Sequence, residues 1–197
     1  MPKGSDNTSN SSNTFTPAST STTIRIPTYV YEKIETQAIT EDKTVSSIIN
    51  NILKKYITWD QFVGEIGFVF MQKPFVRSIF EFLSEEQVVK AARTTCYVGM
   101  KDAIAFIHGK NDVESVIDVI KLWLNASQFP NKITMQPQEE NNKVEIRIQH
   151  NLGQKCSAYM KTLLSLLFYD LGMKANKINS GDQFLSMVFE KLTKKAT

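Results

Sequence analysis

Residues 22–27 (Thr-Thr-Ile-Arg-Ile-Pro) alternate polar and apolar side chains, the period-two signature of a half-buried strand. Pro27 has no N–H to extend a ladder, and its fixed φ suits the start of a helix. Everything from there to Ile57 reads as helix, so this strand has no partner in its own neighbourhood. The partner must come from elsewhere, most simply from a second copy of the chain.

The first predicted helix covers residues 28–39, with Val30, Ile34 and Ala38 four apart on one face. A polar connector, Thr40-Glu41-Asp42-Lys43, follows. Thr44 is a good N-cap for the second helix, because its hydroxyl can accept from an N–H two or three residues on. In that helix Val45, Ile48, Ile49, Ile52, Leu53, Tyr56 and Ile57 form one stripe. Ser46, Ser47, Asn50, Asn51, Lys54 and Lys55 take the other side. The strand and two helices present more apolar surface than about forty residues can bury alone, which again requires a partner.

A strand, a helix and a helix at this spacing resemble the ribbon-helix-helix DNA-binding module of the MetJ/Arc/CopG type. The resemblance covers residues 21–57, under a fifth of the chain. It implies an intertwined homodimer whose two strands pair antiparallel into a ribbon above a core of four helices. Ile24, Ile26, Val30, Ile34, Ile48, Ile49, Ile52 and Leu53 would form the dimer core. Thr23 and Arg25, with Ser21 one step earlier, would face outward. A two-stranded ribbon fits the major groove, where each base pair shows a distinct pattern of donors and acceptors. Arg25 is then the expected base reader, through a bidentate pair with guanine, and Thr23 a second contact. Lys43, Thr44, Val45, Ser46 and Ser47, at the start of the second helix, would hold a DNA phosphate. The connector lacks the glycine often found before the second helix in this family, so Asp42 has to occupy that turn.

Charge does not announce nucleic acid. Over residues 1–60, Lys3, Arg25, Lys33, Lys43, Lys54 and Lys55 are balanced by Asp6, Glu32, Glu35, Glu41, Asp42 and Asp60, so the net charge of +3 lies further on. The DNA reading therefore rests on geometry. Residues 1–20, rich in Ser, Thr and Asn, read as a disordered tail and contain no apolar segment of the kind a secretory signal needs. No run of eighteen apolar residues occurs, which argues against a membrane span. The two cysteines, Cys96 and Cys156, sit in apolar helical settings and read as reduced, buried thiols. A cytoplasmic protein is expected.

Residues 58–192 read as a second, α+β domain for dimerisation or effector binding. Trp59, Phe62, Val63, Ile66 and Val69 or Phe70 make a helical stripe. Ser84-Glu85-Glu86-Gln87 is a capping box that opens a helix to about Cys96. A short helix over 101–107 stops at Gly109, and Asn111 or Asp112 caps another, with Val116, Val119, Ile120, Trp123 and Leu124 inward. Strands are predicted at 133–136 and 144–149. The strongest helix then places Cys156, Tyr159, Met160, Leu163, Leu164, Leu167, Phe168 and Leu171 on one face and ends at Gly172. A strand over 184–189 leads to a basic terminus with Lys191, Lys194 and Lys195. The expected fold class is α+β, mostly helical, with the ribbon-helix-helix module followed by a helical subdomain and a β-β-α-β unit.

Little here suggests catalysis. His150 and Cys156 are a nucleophile-and-base pair only if a third group orients them and the thiol is acidified; otherwise they are core and helix cap. Two such ligands make a poor metal site, and the richer His/Cys set of the nickel-responsive ribbon-helix-helix proteins is missing, so neither metal nor cofactor is expected. Residues 150–155 crowd polar groups at a strand-to-helix junction where a small acidic effector is conceivable. The expected function is a sequence-specific, homodimeric DNA-binding transcriptional regulator of prokaryotic or phage type, not an enzyme. The alternative is an interaction or architectural protein, a segregation adaptor or an antitoxin, in which the module only anchors or autoregulates. An antitoxin ranks below an architectural role, because 140 residues follow Ile57 and look folded.

Overall fold

The computed structural model describes residues 20–136 and 143–192. The expected tail, apart from Thr20, lies outside them, as do Lys194 and Lys195. The chain divides into two compact units, Met1–Ile49 and Asn50–Thr197.

In the first unit residues 20–27 belong to neither helix nor strand, and Ile24 is 58% exposed. Helix α1 (Thr28–Thr40) starts where expected: the Pro27 carbonyl accepts from the N–H groups of Val30 and Tyr31, at 3.0 and 3.1 Å. It buries Ala38. The chain turns at Asp42, whose φ of 51° is left-handed, and the Lys43 N–H returns to the Ala38 carbonyl at 2.8 Å. Asp is one of the few non-glycine residues that takes this conformation at modest cost. Helix α2 (Val45–Lys55) opens with the Ser47 N–H on Thr44 Oγ1 at 3.1 Å, the predicted cap, and buries Ile48.

The second unit is α+β. A π-helical turn (Tyr56–Asp60) follows α2 and buries Trp59. The stripe predicted onward from Trp59 does not stay helical. Residues 61–67 are turns ending at Gly67 (φ 77°), after which Phe68 packs on Trp59 with ring centroids 5.2 Å apart while Val69 and Phe70 face out. Helix α3 (Lys73–Phe82) follows. Ser84 forms the predicted capping box with Gln87 at the start of α4 (Glu85–Ala91). That helix does not stop near Cys96: a π-helical turn (Ala92–Cys96) carries it straight into α5 (Tyr97–His108), which Gly109 ends at φ 65°. No helix breaker lies between Ala91 and Tyr97, so nothing in the sequence halts the run. Asp112, not Asn111, caps α6 (Val113–Ala126), accepting from the Ser115 N–H at 2.9 Å.

Strand β1 (Asn131–Gln136) pairs with β2 (Lys143–Gln149), and helix α7 (Gln154–Tyr169) covers the sheet. Gly172, at φ 70°, ends the helical segment as predicted. The expected β-β-α-β unit is corrected here to β-β-α-β-β. Strand β3 (Met173–Ser180) precedes β4 (Phe184–Lys191), and the antiparallel order is β1-β2-β4-β3. As an edge strand, β3 needs few apolar residues, and its bulge between Ala175 and Lys177 breaks the alternation. Val144, Ile146, Ile148, Leu185, Met187 and Phe189 are buried in one apolar core with α7, in which Phe168 stacks on Phe189 at 4.2 Å. Among the described residues no helix is long and apolar enough to cross a membrane.

Candidate functional site

Two regions of this chain can do something beyond holding the fold. The first is the N-terminal segment. Thr23 and Arg25 are exposed, but so is Ile24 between them, and the segment expected as a strand is irregular in the single chain. Of the residues expected in a dimer core, only Ile48 is buried in the single chain. Ile26, Val30, Ile34 and Ile49 are half-buried, and Ile24, Ile52 and Leu53 are 58%, 52% and 51% exposed. Tyr56 and Ile57, further along the same stripe, are also exposed. At the start of α2 the N–H groups of Val45 and Ser46 have no carbonyl one turn back, as at any helix N-terminus. Lys43 is less free than its position suggests. Its ammonium lies 2.6 Å from a Glu41 carboxylate oxygen, and that hydrogen bond, with one from Gln37, holds the Glu41 carboxyl below its ordinary range.

The junction of β2 and α7 is where sequence reasoning placed a possible pair and a possible anion site. His150 is buried, and its Nδ1 accepts the Leu152 N–H at 3.0 Å. The ring proton therefore sits on Nε2, which donates to Ser157 Oγ at 2.8 Å. The Ser157 hydroxyl in turn reaches the Gly181 carbonyl at 2.6 Å and that of Phe184 at 3.1 Å. This is the reverse polarity of a nucleophile and its base, in which the hydroxyl donates to the ring. Both ring nitrogens are spent, leaving none for Cys156. Burial pushes that thiol up to about 12, so it stays protonated and a poor nucleophile. The arrangement is a clasp. With the N–H groups of His150 and Gly153 on the carbonyls of Gln183 and Asp182, both at 2.8 Å, it ties the β2–α7 loop to the β3–β4 turn.

The same bonds occupy the N–H groups of His150, Leu152 and Gly153. Lys155 turns away to cap the C-terminal end of α3, donating to the carbonyls of Glu81 and Leu83 at 3.0 and 2.5 Å. Ser157 is the residue sequence reading missed, and its only signal was a hydroxyl on the apolar face of the strongest helix.

The second region is a cleft of about 420 Å³ in the α+β unit. Trp59 from the first π-turn, Phe68 beyond Gly67, Val76 and Phe80 of α3, Trp123 of α6 and Tyr159 of α7 supply most of its walls. Phe80 meets Tyr159 at 5.7 Å between centroids. Burial is the first cause that raises the Tyr159 phenol, followed by the neighbouring Cys96 and Cys156 thiols. Among the described residues Lys73 is the one charged side chain in the lining. It donates to the Gln128 carbonyl at 2.8 Å and lies over the Phe129 ring at 5.0 Å. Trp59, Trp123 and Tyr159, placed by sequence on apolar helical faces, thus line an open space. No family model matches this chain, and no curated protein or solved structure matches it.

Proposed function

We propose that the protein is a homodimeric, sequence-specific DNA-binding transcriptional regulator of the ribbon-helix-helix type, of prokaryotic or phage origin and acting in a prokaryotic cytoplasm. One observation carries the reading: Ile52, Leu53, Tyr56 and Ile57, on one stripe of the second helical pattern, are each more than half exposed in a single chain, and so is Ile24 in the segment before α1. Burying one large aliphatic side chain is worth about 1.5–3 kcal/mol, and a two-fold dimer collects that gain twice. The left-handed turn at Asp42 and the Thr44 cap support the same reading, because they give the connector the form that a strand-helix-helix module requires. In the dimer, residues 22–26 pair with their symmetry mate. Arg25 and Thr23 then read base edges, while Thr44, Val45, Ser46 and Ser47 hold a phosphate. Lys43 contributes there only by leaving Glu41.

The test is solution mass by light scattering, combined with selection of bound fragments from random duplexes. A dimer that enriches a two-fold symmetric site is expected. A monomer at micromolar concentration, or enrichment of no sequence, removes the reading. One observation favours the architectural alternative: α3 turns Phe75, Ile79 and Phe82 outward, Phe82 at 90% exposure, and a face of that kind suits a protein partner. Co-purification of a stable, unrelated protein without a preferred DNA site would select it.

A further inference from the structure

The cleft in the α+β unit has the dimensions and chemistry of a small-molecule site. At about 420 Å³ it falls within the ordinary range for such sites, and its walls are apolar and aromatic. The cleft opens on the edge of the hydrophobic core: Phe129, Leu152, Cys156 and Met160 belong to that core, and Val76, Phe80, Trp123 and Tyr159 pack against it while leaving the space between them unfilled. Val69, Phe70 and Met71 run along its lining at 70%, 77% and 54% exposure, apolar surface that an occupant would cover. Among the described residues the polar side-chain groups of the lining are those of Tyr159, Cys156, Ser127 and Gln128, the indole N–H groups of Trp59 and Trp123, and the ammonium of the exposed Lys73. Lys73 has donors beyond the one given to Gln128, and no carboxylate lines the cleft with it.

We infer that this cleft binds a small apolar monoanion, an aryl or alkyl carboxylate, whose hydrophobic body lies between Trp59, Phe80 and Trp123 and whose acid group meets Lys73. The site is separate from the polar β2–α7 junction. It requires neither DNA nor a second chain, and so goes beyond the regulator reading without depending on it. Should that reading hold, the ligand is the effector. The helical run leaving α2 continues directly into the π-turn that carries Trp59, so an occupant touches a residue two positions beyond the end of the module.

The experiment uses the full chain and three probes that share one apolar body: phenylbutyrate, phenylbutyramide and phenylbutylamine. Calorimetry gives stoichiometry and affinity. Tryptophan fluorescence gives location, because the chain's two tryptophans both line the cleft. One acid per chain is expected, with phenylbutyrate about fivefold tighter than the amide, the return on one partly exposed ion pair, and the amine weakest. Lys73→Met, at an exposed position, should keep amide affinity and abolish the acid's preference. Ala126→Phe, which fills the cleft, should weaken acid and amide together by about tenfold, about one lost apolar contact surface. Its denaturation midpoint shows whether the fold is intact. No saturable binding of any probe, an amide as tight as the acid, an acid preference that survives Lys73→Met, or affinity unmoved in a folded Ala126→Phe each overturns the proposal. Since no arm contains DNA, such a failure leaves the dimer reading standing, and a chain that binds the acid but selects no duplex separates the two in the other direction.

Discussion

His150 should make this protein lose stability in mild acid, and the geometry fixes the sign. In the folded chain Nδ1 faces the Leu152 N–H, so a second ring proton would point at a donor, in a buried site. Burial accordingly lowers the imidazole below its ordinary value. A base whose folded pKa is depressed binds fewer protons folded than unfolded. Stability is therefore complete above the unfolded pKa of about 6.5 and falls as pH drops below it, until the folded value is reached. Within that window the slope approaches about 1.4 kcal/mol per pH unit, one proton's worth. Urea unfolding from pH 8 to pH 5.5 measures it, with His150→Asn as reference. Asn keeps an acceptor for Leu152 and does not titrate. At pH 8 the variant should be less stable by about 1–3 kcal/mol, because it leaves the Ser157 side of the clasp short of its donor. The gap should narrow as pH falls, since the wild type alone loses stability through His150. A gap constant across the range would show that the ring is not held neutral and would refute the assigned polarity of the chain from Leu152 through His150 and Ser157 to Gly181.

Other substitutions test the remaining parts. Arg25→Ala should cost about 1–3 kcal/mol in specific DNA binding and relax preference at one base, read by gel shift on a selected site; unchanged selectivity means the strand is not the reader. Ile24→Asp should convert the dimer to monomer in light scattering while leaving the helical circular dichroism of the second unit intact, and a persisting dimer would place the interface elsewhere. Thr44→Ala should cost about 1 kcal/mol through the lost Ser47 cap, and Asp42→Gly should add about 0.5–1 kcal/mol by easing the left-handed turn, both seen as shifts in urea midpoint without a change in slope. Iodoacetamide at pH 8 should leave Cys156 unmodified in the native protein and label it in urea, by mass spectrometry of peptides; ready native labelling would show the thiol to be more exposed and more acidic than its burial allows.

How much of this was legible in the sequence depended on whether an element's local signal was also its tertiary reason. Thr44, the Ser84 box, Asp112, Gly109 and Gly172 were readable because a cap or a stop is a local transaction between a side chain and orphan backbone groups. The long apolar face of α7 was readable because a helix packed on a sheet must carry one. Strand β3 was not: an edge position asks for little apolar surface, the bulge interrupts the little there is, and Lys174, Asn176, Lys177 and Asn179 read as loop. The helical continuation past Trp59 failed for the opposite reason. Its apolar spacing was good, but Gly67 turned the chain, so that Phe68 faces Trp59 instead of following it along one face.

The same contrast explains why the cleft was invisible and the clasp half visible. Trp59, Phe80, Trp123 and Tyr159 each satisfy the pattern of core residues, and periodicity reports only that a side chain turns inward. Whether inward-turning aromatics meet or leave a space is decided by the separation of the elements that carry them, which no single helix encodes. His150 was visible as an oddity at a strand end, yet its partner was hidden, because Ser157 looks like a harmless small residue until the β3–β4 turn arrives from 24 residues downstream to accept its proton. A polar group that finds its reason only in a distant turn is a tertiary statement. The buried face of α7 is therefore where a hidden hydrogen bond or an open wall is to be sought, and two features that periodicity did not foretell, the clasp at Ser157 and the cleft wall at Tyr159, lie within a single turn of that helix.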